Sequence, residues 1–394
     1  MTAESSEQPD SRRSWLVAGV GAFAMVFTFG TTISYGILRE PFSAAFDVAP
    51  IELSSAFALM LFAFFIGSGL VGVFGVRFPA RGVLLVCTVV TGVLAPSLYF
   101  VDSIVGLAVV FVALGVALGT VVVMVASVVP RWFETRRGAA TGLIFTGNGV
   151  GLFVLPPVWQ HAIAEYGVRR GFLIVVAVTA TAFLLVALVC RRPPWAEQSS
   201  ASTGDIVGWL ARLGRTRTFQ LLFVGIALSF AWYQLLAGYA VDLFVARGFT
   251  DSGASTAFGL IGGFSIISRV GGGYLSDRMG SRRAFLASLV CVVLGTCLLF
   301  LSAVPGLLVA IFLLGLGLGG TATIYLPLIM STFSPEKDTA IVGVFNVGGG
   351  IAALAMPPLG TASITYTGGF TLAILLTLVV TLGGLWTVAA GTTP

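Results

Sequence analysis

Arg269 is the only charged residue in the stretch Ser252–Ser276, which otherwise contains glycine, apolar residues, one tyrosine and small hydroxyl residues. As a helix, this stretch would cross the roughly 30 Å hydrocarbon core of a bilayer. An arginine there stays protonated and costs roughly 2.5–3.5 kcal/mol to insert, so it must face a polar cavity or a partner. Its planar guanidinium suits a carboxylate, which predicts an organic-anion site. A structural arginine bonded to carbonyl groups of a neighbouring helix is the competing interpretation.

Other polar side chains lie in the middle of apolar runs and could complete such a cavity. Their hydroxyl and amide groups suit the hydroxyl, keto or carboxylate oxygens of a substrate, although polar residues also join membrane helices to one another. The predicted substrate-binding residues besides Arg269 are Tyr35, Asn148, Tyr233, Gln234, Tyr325 and Asn346.

Arg39 and Asp242 lie near the ends of two apolar runs, on the same predicted side of the membrane. We expect them to form an outer gate that opens when substrate or a proton arrives, with Asp242 as the group that takes up the proton. The alternative is that each side chain reaches interfacial water independently of the other.

The composition is that of a membrane protein with many spans. Of its 394 residues, 57% are hydrophobic and 9% are charged, which excludes a soluble globular domain. No run alternates in polarity as a membrane β-barrel would, so the predicted fold class is all-α. The four Cys form no CxxC pair and there is one His. We therefore predict no metal site, no cofactor and no membrane-embedded enzyme.

Apolar runs between charges and turn residues predict twelve transmembrane helices in two bundles of six. The spans are 15–38, 52–76, 82–101, 103–129, 138–160, 171–190, 218–241, 253–276, 284–303, 306–332, 339–363 and 367–390. A cytoplasmic tail (1–14) precedes the N-terminal bundle (15–190), and a cytoplasmic linker (191–217) leads to the C-terminal bundle (218–394).

The two bundles share an internal repeat. A shift of 201 residues places Arg77 on Arg278 and the pair Pro156-Pro157 on Pro357-Pro358. This shift predicts a duplicated six-helix unit with pseudo-two-fold symmetry and a substrate site where the halves meet.

Positive charge predicts the orientation of the chain. With the N-terminus in the cytoplasm, sixteen of the 21 Lys and Arg residues fall in cytoplasmic segments, four fall outside, and Arg269 lies within a span. Both termini are then cytoplasmic, and we expect a bacterial or archaeal inner-membrane protein. The net charge of +5 serves this orientation and does not indicate a nucleic-acid partner.

Two motifs follow the apolar runs into the cytoplasm. Residues 272–283 read GGYLSDRMGSRR, and residues 132–142 read WFETRRGAATG. The first resembles the GxLaDRxGxRR loop of the major facilitator superfamily, and the second resembles the YFxKRRxLAxGxxxAG signature of its monocarboxylate transporters. We expect their charged residues to form a cytoplasmic gate of switching ion pairs, made of Asp277, Arg278, Arg282, Arg283, Glu134, Arg136 and Arg137.

The resemblance implies the superfamily's fold and roles for individual residues. Arg269 would correspond to the helix-eight arginine that binds the substrate carboxylate, and Arg39 to a helix-one lysine that helps recruit substrate and proton. The family's carboxylate one turn before that arginine is replaced here by Ser265.

These observations predict a secondary transporter that works by alternating access and carries a small monocarboxylate, of the lactate or pyruvate type, with a proton. One arginine balances one carboxylate, and the accompanying proton makes transport electroneutral. The expected partners of this monomer are a small organic anion, a proton and the lipid bilayer. An organic-anion exchanger of the oxalate/formate antiporter type is the alternative.

Overall fold

The computed structural model describes residues 8–74, 78–191, 193, 203–333 and 338–392, and these residues form helices without any strand. In a bilayer a helix satisfies its own backbone hydrogen bonds, which is why long apolar runs adopt it. The helices are α1 (Arg12–Ile33), α2 (Tyr35–Phe46), α3 (Pro50–Phe74), α4 (Ala80–Leu94), α5 (Ile104–Val128), α6 (Arg137–Val189), α7 (Thr203–Leu213), α8 (Arg217–Ala237), α9 (Ala240–Ala246), α10 (Asp251–Met279), α11 (Ser281–Leu298), α12 (Val304–Thr332), α13 (Asp338–Thr367) and α14 (Thr371–Gly391).

Within the described residues, ten helices are long and apolar enough to cross a membrane. One of them, α6, has 53 residues and is broken at Gly167, so it has the length of two spans. The 29-residue helix α10, which carries Arg269, is not among the ten. The fold is therefore that of a helical membrane protein, and the twelfth span stays a prediction.

The predicted spans 15–38 and 218–241 are each interrupted near one end. The first breaks at Ser34 between α1 and α2, and the second breaks at Gly238 and Tyr239 between α8 and α9. The Ser34 hydroxyl donates a hydrogen bond to the carbonyl of Gly30 at 2.6 Å, a local bond that often bends a helix. We call the side of the molecule that holds α2 and α9 the outer side, following the predicted orientation.

The prolines do not end their helices. Pro156 and Pro157 lie inside α6, which continues to Gly167 and so extends beyond the predicted span 138–160. Gly167 has φ 76°, a left-handed conformation that favours glycine, and this is where the chain turns back. A Cβ on Gly259 of α10 would lie 3.0 Å from the carbonyl oxygen of Phe153, near the prolines, so only a small residue fits there.

Equivalent glycines bring equivalent helices together in the two halves. A Cβ on Gly119 of α5 would lie 1.9 Å from the carbonyl oxygen of Phe64 in α3, and one on Gly319 of α12 would lie 2.1 Å from that of Ser265 in α10. The two glycines are 200 residues apart in sequence and their partners are 201 apart. The internal repeat therefore appears as the same close helix packing in both halves.

The two halves meet along α3 with α13 and along α6 with α10. On the outer side the Thr361 hydroxyl lies 3.3 Å from the hydroxyl of Ser54. Toward the other side, a Cβ on Gly69 would lie 3.0 Å from the carbonyl oxygen of Gly343. Contacts between the halves thus lie on both sides of the middle layer, where the cavity is found.

Candidate substrate site and gates

A cavity of about 80 Å³ lies between the halves. Helices α1, α3, α5 and α6 line it from one half, and α8, α10, α12 and α13 line it from the other. Six of the seven predicted substrate-binding residues line it, namely Asn148, Tyr233, Gln234, Arg269, Tyr325 and Asn346. The seventh, Tyr35, has a side chain outside the described part of the structure.

Arg269 is buried, with 3% of its surface exposed. Its Nε donates a hydrogen bond to Ser265 Oγ at 3.2 Å, one helical turn earlier on α10, and that hydroxyl donates to the carbonyl of Gly262 at 2.6 Å. No described residue accepts a hydrogen bond from Nη1 or Nη2, and no described carbonyl group is bonded to this side chain. Nη1 and Nη2 are therefore left as donors for a ligand, unlike those of a structural arginine.

Two neighbouring residues of α8 carry polar atoms without a partner among the described residues. They are the Tyr233 hydroxyl and Gln234 Oε1, in side chains that are each 3% exposed. Tyr233 stacks on Phe258 with ring centroids 5.8 Å apart, and its hydroxyl lies close enough to Arg269 for the two to interact electrostatically. Unpaired buried polar atoms beside a cavity are the groups that a ligand is expected to satisfy.

Aromatic rings form much of the cavity wall, and sequence reasoning missed them. Phe65 of α3 stacks on Phe230 of α8 across the two halves, with ring centroids 6.0 Å apart. Any side chain at Gly349 would lie 3.0 Å from Phe230 and 3.1 Å from Phe65, so the glycine makes room for this pair. The missed lining residues include Phe29, Phe64, Phe65, Ser68, Phe145, Ser229, Phe230 and Thr321.

Arg39 and Asp242 form an ion pair between the halves on the outer side. The distance from Arg39 Nη1 to Asp242 Oδ2 is 2.7 Å, and that from Nη2 to Oδ1 is 2.8 Å, which is a bidentate arrangement. The side chains are 12% and 25% exposed. The predicted partners are therefore in contact, since α2 and α9 bring them together, whereas their role as a gate stays a prediction.

The residues of the predicted cytoplasmic gate are described only in part. Arg278 lies over the ring of Tyr274 at 4.5 Å, and Arg282 donates from Nε to Thr392 Oγ1 at 2.8 Å within the same half. Arg283, Glu134 and Arg136 have exposed side chains, while the side chains of Asp277 and Arg137 lie outside the described part. The switching ion pairs remain a prediction.

Asp10 has a role that sequence reasoning did not assign. Its carboxylate accepts hydrogen bonds from the backbone N–H of Thr135 at 3.0 Å, the Thr135 hydroxyl at 2.8 Å and the backbone N–H of Glu134 at 3.3 Å. These bonds, led by the one from the Thr135 backbone, hold the pKa of Asp10 below its usual 3.8. The residue thus ties the start of the chain to the loop that enters α6.

Two helical halves surround a buried cavity lined in part by polar side chains, and the halves contact each other on both sides of it. This arrangement is that of a membrane transporter. The family model of the Major Facilitator Superfamily matches residues 16–357 and 240–394. The chain belongs to this superfamily.

The individual relatives share less than a third of their residues with this chain. The chain is similar to the MFS-type transporter pytF of Aspergillus terreus, with 28% identity over 71% of this chain and 97% of that protein. It is also similar to monocarboxylate transporter 11 of Homo sapiens, with 27% identity over 95% of this chain and 82% of that protein. The crystal structure of the nucleoside transporter NupG matches 96% of this chain and 100% of its own, with TM-score 0.74 and 13% identity, which supports the fold alone.

Proposed function

We propose that this protein transports a small monocarboxylate by alternating access, together with a proton. The carrying observation is Arg269, a buried cation that lines the cavity and whose Nη1 and Nη2 have no partner among the described residues. In a site of low dielectric, two parallel hydrogen bonds from this guanidinium to a carboxylate are strong. The similarity to monocarboxylate transporters is consistent with that ligand.

Charge and size favour a small monoanion. Arg269 is the one cationic side chain among the described lining residues, so it balances one carboxylate, whereas a dicarboxylate would need a second cation. A cavity of about 80 Å³ has room for roughly five to eight water molecules at about 10–15 Å³ each. An acid of a few heavy atoms, such as lactate or pyruvate, suits that space.

The proton is assigned to Asp242. Its carboxylate holds Arg39 across the outer side, so protonation would remove the charge that Arg39 contacts and weaken the pair. Uptake of a proton and release of the outer contact are then one event, and the proton leaves net transport of a monoanion electroneutral.

Exchange of organic anions is the second candidate, and the position next to Arg269 favours it. Ser265 supplies a neutral partner, and none of the described residues that line the cavity is Asp or Glu. Nothing described in the cavity itself accepts a proton in place of the substrate. In an exchanger, a second anion would bind to the emptied site before the site faces the first side of the membrane again.

The test uses the purified full chain in liposomes with labelled lactate, pyruvate, formate and oxalate. With an inward proton gradient, lactate and pyruvate should accumulate inside the liposomes. Because one proton accompanies one anion, the ratio of internal to external acid should fall by about tenfold for each pH unit by which the gradient is reduced. Uptake that ignores the gradient but requires an internal anion would instead establish exchange.

The residue-level test is Arg269→Gln, which removes the charge and keeps a polar amide. We expect lactate binding to weaken by about 100-fold or more, since two charge-assisted hydrogen bonds are lost. Arg215→Gln is the matched control, because Arg215 is exposed in the segment before α8. Calorimetry in nanodiscs measures binding, and unchanged affinity in a folded Arg269→Gln variant would remove the site assignment.

A further inference from the structure

Three serine and threonine hydroxyl groups that line the cavity donate their hydrogen bonds to backbone carbonyl groups. Ser68 donates to Gly119 O at 2.9 Å, Ser229 donates to its own helix at Gly225 O at 2.6 Å, and Thr321 donates to its own helix at Gly317 O at 2.9 Å. A hydroxyl has one proton and two lone pairs. Toward the cavity these three groups are therefore acceptors.

Gln234 is also oriented as an acceptor. Its Nε2 donates to the carbonyl of Gly349 at 3.4 Å, which assigns the nitrogen to that side of the amide and leaves Oε1 on the other. Oε1 is buried and has no partner among the described residues. A side-chain amide oxygen only accepts hydrogen bonds, so satisfying it requires a donor on the ligand.

The donors of the cavity form a second group. Arg269 keeps Nη1 and Nη2, and the Tyr233 hydroxyl, which has no partner among the described residues, can donate as well. These donors suit a carboxylate. A carboxylate alone leaves the acceptors of α3, α8 and α12 unpaired, because an ionised carboxylate has no proton to give.

We propose that Gln234 reads a hydroxyl group on the transported acid, so that the cavity prefers short hydroxy monocarboxylates over the matching keto and unsubstituted acids. This inference rests on the proposed function. A hydroxyl donates to Gln234 Oε1, whereas a keto oxygen presents lone pairs to it and a methylene group presents nothing. A site built to bond a substrate hydroxyl discriminates against analogues that lack it, because its own polar group is left unpaired.

An amino group in place of the hydroxyl is a donor too, yet it does not fit. It would bring a positive charge beside Arg269, and the described lining residues include no carboxylate to balance it. A hydroxyl supplies the hydrogen bond without the charge, which singles out the hydroxy acids.

The experiment measures the Kd of L-lactate, pyruvate and propionate for the full chain in nanodiscs by calorimetry at one pH. We expect lactate to bind about 10- to 100-fold more tightly than the other two, as the loss of one buried hydrogen bond predicts. In Gln234→Met the preference should shrink to about threefold or less, because the partner of the lactate hydroxyl is gone. The control Gln220→Met alters an exposed glutamine that donates to Gly214 O at 3.1 Å, and it should keep the preference.

Each outcome decides between the two proposals. Equal affinity for the three acids in the unmodified protein, or a preference that survives Gln234→Met, overturns the hydroxyl assignment and leaves the monocarboxylate site standing. Failure to bind any of the three acids overturns the proposed function and the inference with it. The comparison in the unmodified protein needs no variant, so it decides even when Gln234→Met does not fold.

Discussion

Ser265 and Arg269 lie one turn apart on α10, and the first leaves the second available. The serine accepts one hydrogen bond from Nε and carries no charge. A carboxylate in its place would neutralise the guanidinium and compete with a bound anion. The neutral partner fixes the side chain by one edge and keeps its positive charge for the substrate.

Asp10 gives a prediction with a definite pH dependence. Because its folded-state pKa is lowered below the usual 3.8, its bonds stabilise the protein above that pH, and this contribution is lost as pH falls through the folded value. Asp10→Ala should therefore lower the melting temperature at pH 7, and the difference from the unmodified protein should shrink below about pH 3.8. Thermal unfolding in detergent over a pH series measures it.

Glu165→Ala is the matched control, since it removes an exposed carboxylate from α6. It should leave the melting temperature nearly unchanged at both ends of the pH range. A difference for Asp10→Ala that is as large at pH 3 as at pH 7 would mean that the charge of Asp10 does not stabilise the loop.

At the scale of single residues, the sequence predicted the site residue whose burial in a membrane costs the most free energy. Arg269 was found because a permanent cation in an apolar stretch needs a reason. The rings of Phe65 and Phe230 were not, because phenylalanine occurs 31 times in this chain and any apolar wall accepts it. A signal for Ser229 was present, since it precedes Tyr233 by one turn and so shares its helix face.

At the scale of elements, the outer ends of the first helix of each half were harder to predict. Apolar runs give no break at Ser34, because serine and its neighbours are compatible with a helix, and the break depends on a hydrogen bond back to Gly30. Gly238 gave a weak signal in the other half. The resulting short helices α2 and α9 are what place Arg39 opposite Asp242.

The ion pair between α2 and α9 leads to a prediction about the opening of the outer side. Asp242→Asn removes one charge of the pair, so a cysteine placed in the cavity by Ser229→Cys, in a background without native cysteines, should react with an impermeant maleimide about fivefold faster. That factor corresponds to about 1 kcal/mol, the upper range for a partly exposed ion pair. The exchange Arg39→Asp with Asp242→Arg should restore slow labelling.

Arg169→Gln is the control for the ion pair. It breaks the contact of Arg169 with Asp102, which lies on the same side but within one half. Labelling at the cavity should stay at the rate of the unmodified pair. If Arg169→Gln and Asp242→Asn accelerate labelling equally, the effect is one of general loosening and the outer pair is not a gate.

At the scale of the molecule, composition and the 201-residue repeat predicted two similar helical halves, and the family match and the fold agree with them. How the halves touch was not predictable, because glycine occurs 50 times in the sequence and most of the described glycines face no close neighbour across the halves. Along α6 and α10, a Cβ on Gly262 would lie 2.2 Å from Leu152 Cβ. This residue sets how closely the halves approach.

Gly262→Ala should therefore force the halves apart beside the cavity. Overpacking costs about 1–3 kcal/mol, so we expect a lower melting temperature and at least about fivefold slower uptake. Gly263→Ala is the neighbouring control, because its Cβ would lie 3.4 Å from Phe153, an ordinary contact. Equal loss of activity in Gly262→Ala and Gly263→Ala would refute this role.

Asp10 and Thr392 are each fastened by side-chain hydrogen bonds to a different half, the first to the loop before α6 and the second to Arg282 of α11. Fluorophores attached beside these two anchors would each follow the half to which the anchor is bonded. Their energy-transfer efficiency would then report the distance between the halves on this side in real time, so single transport cycles could be followed there.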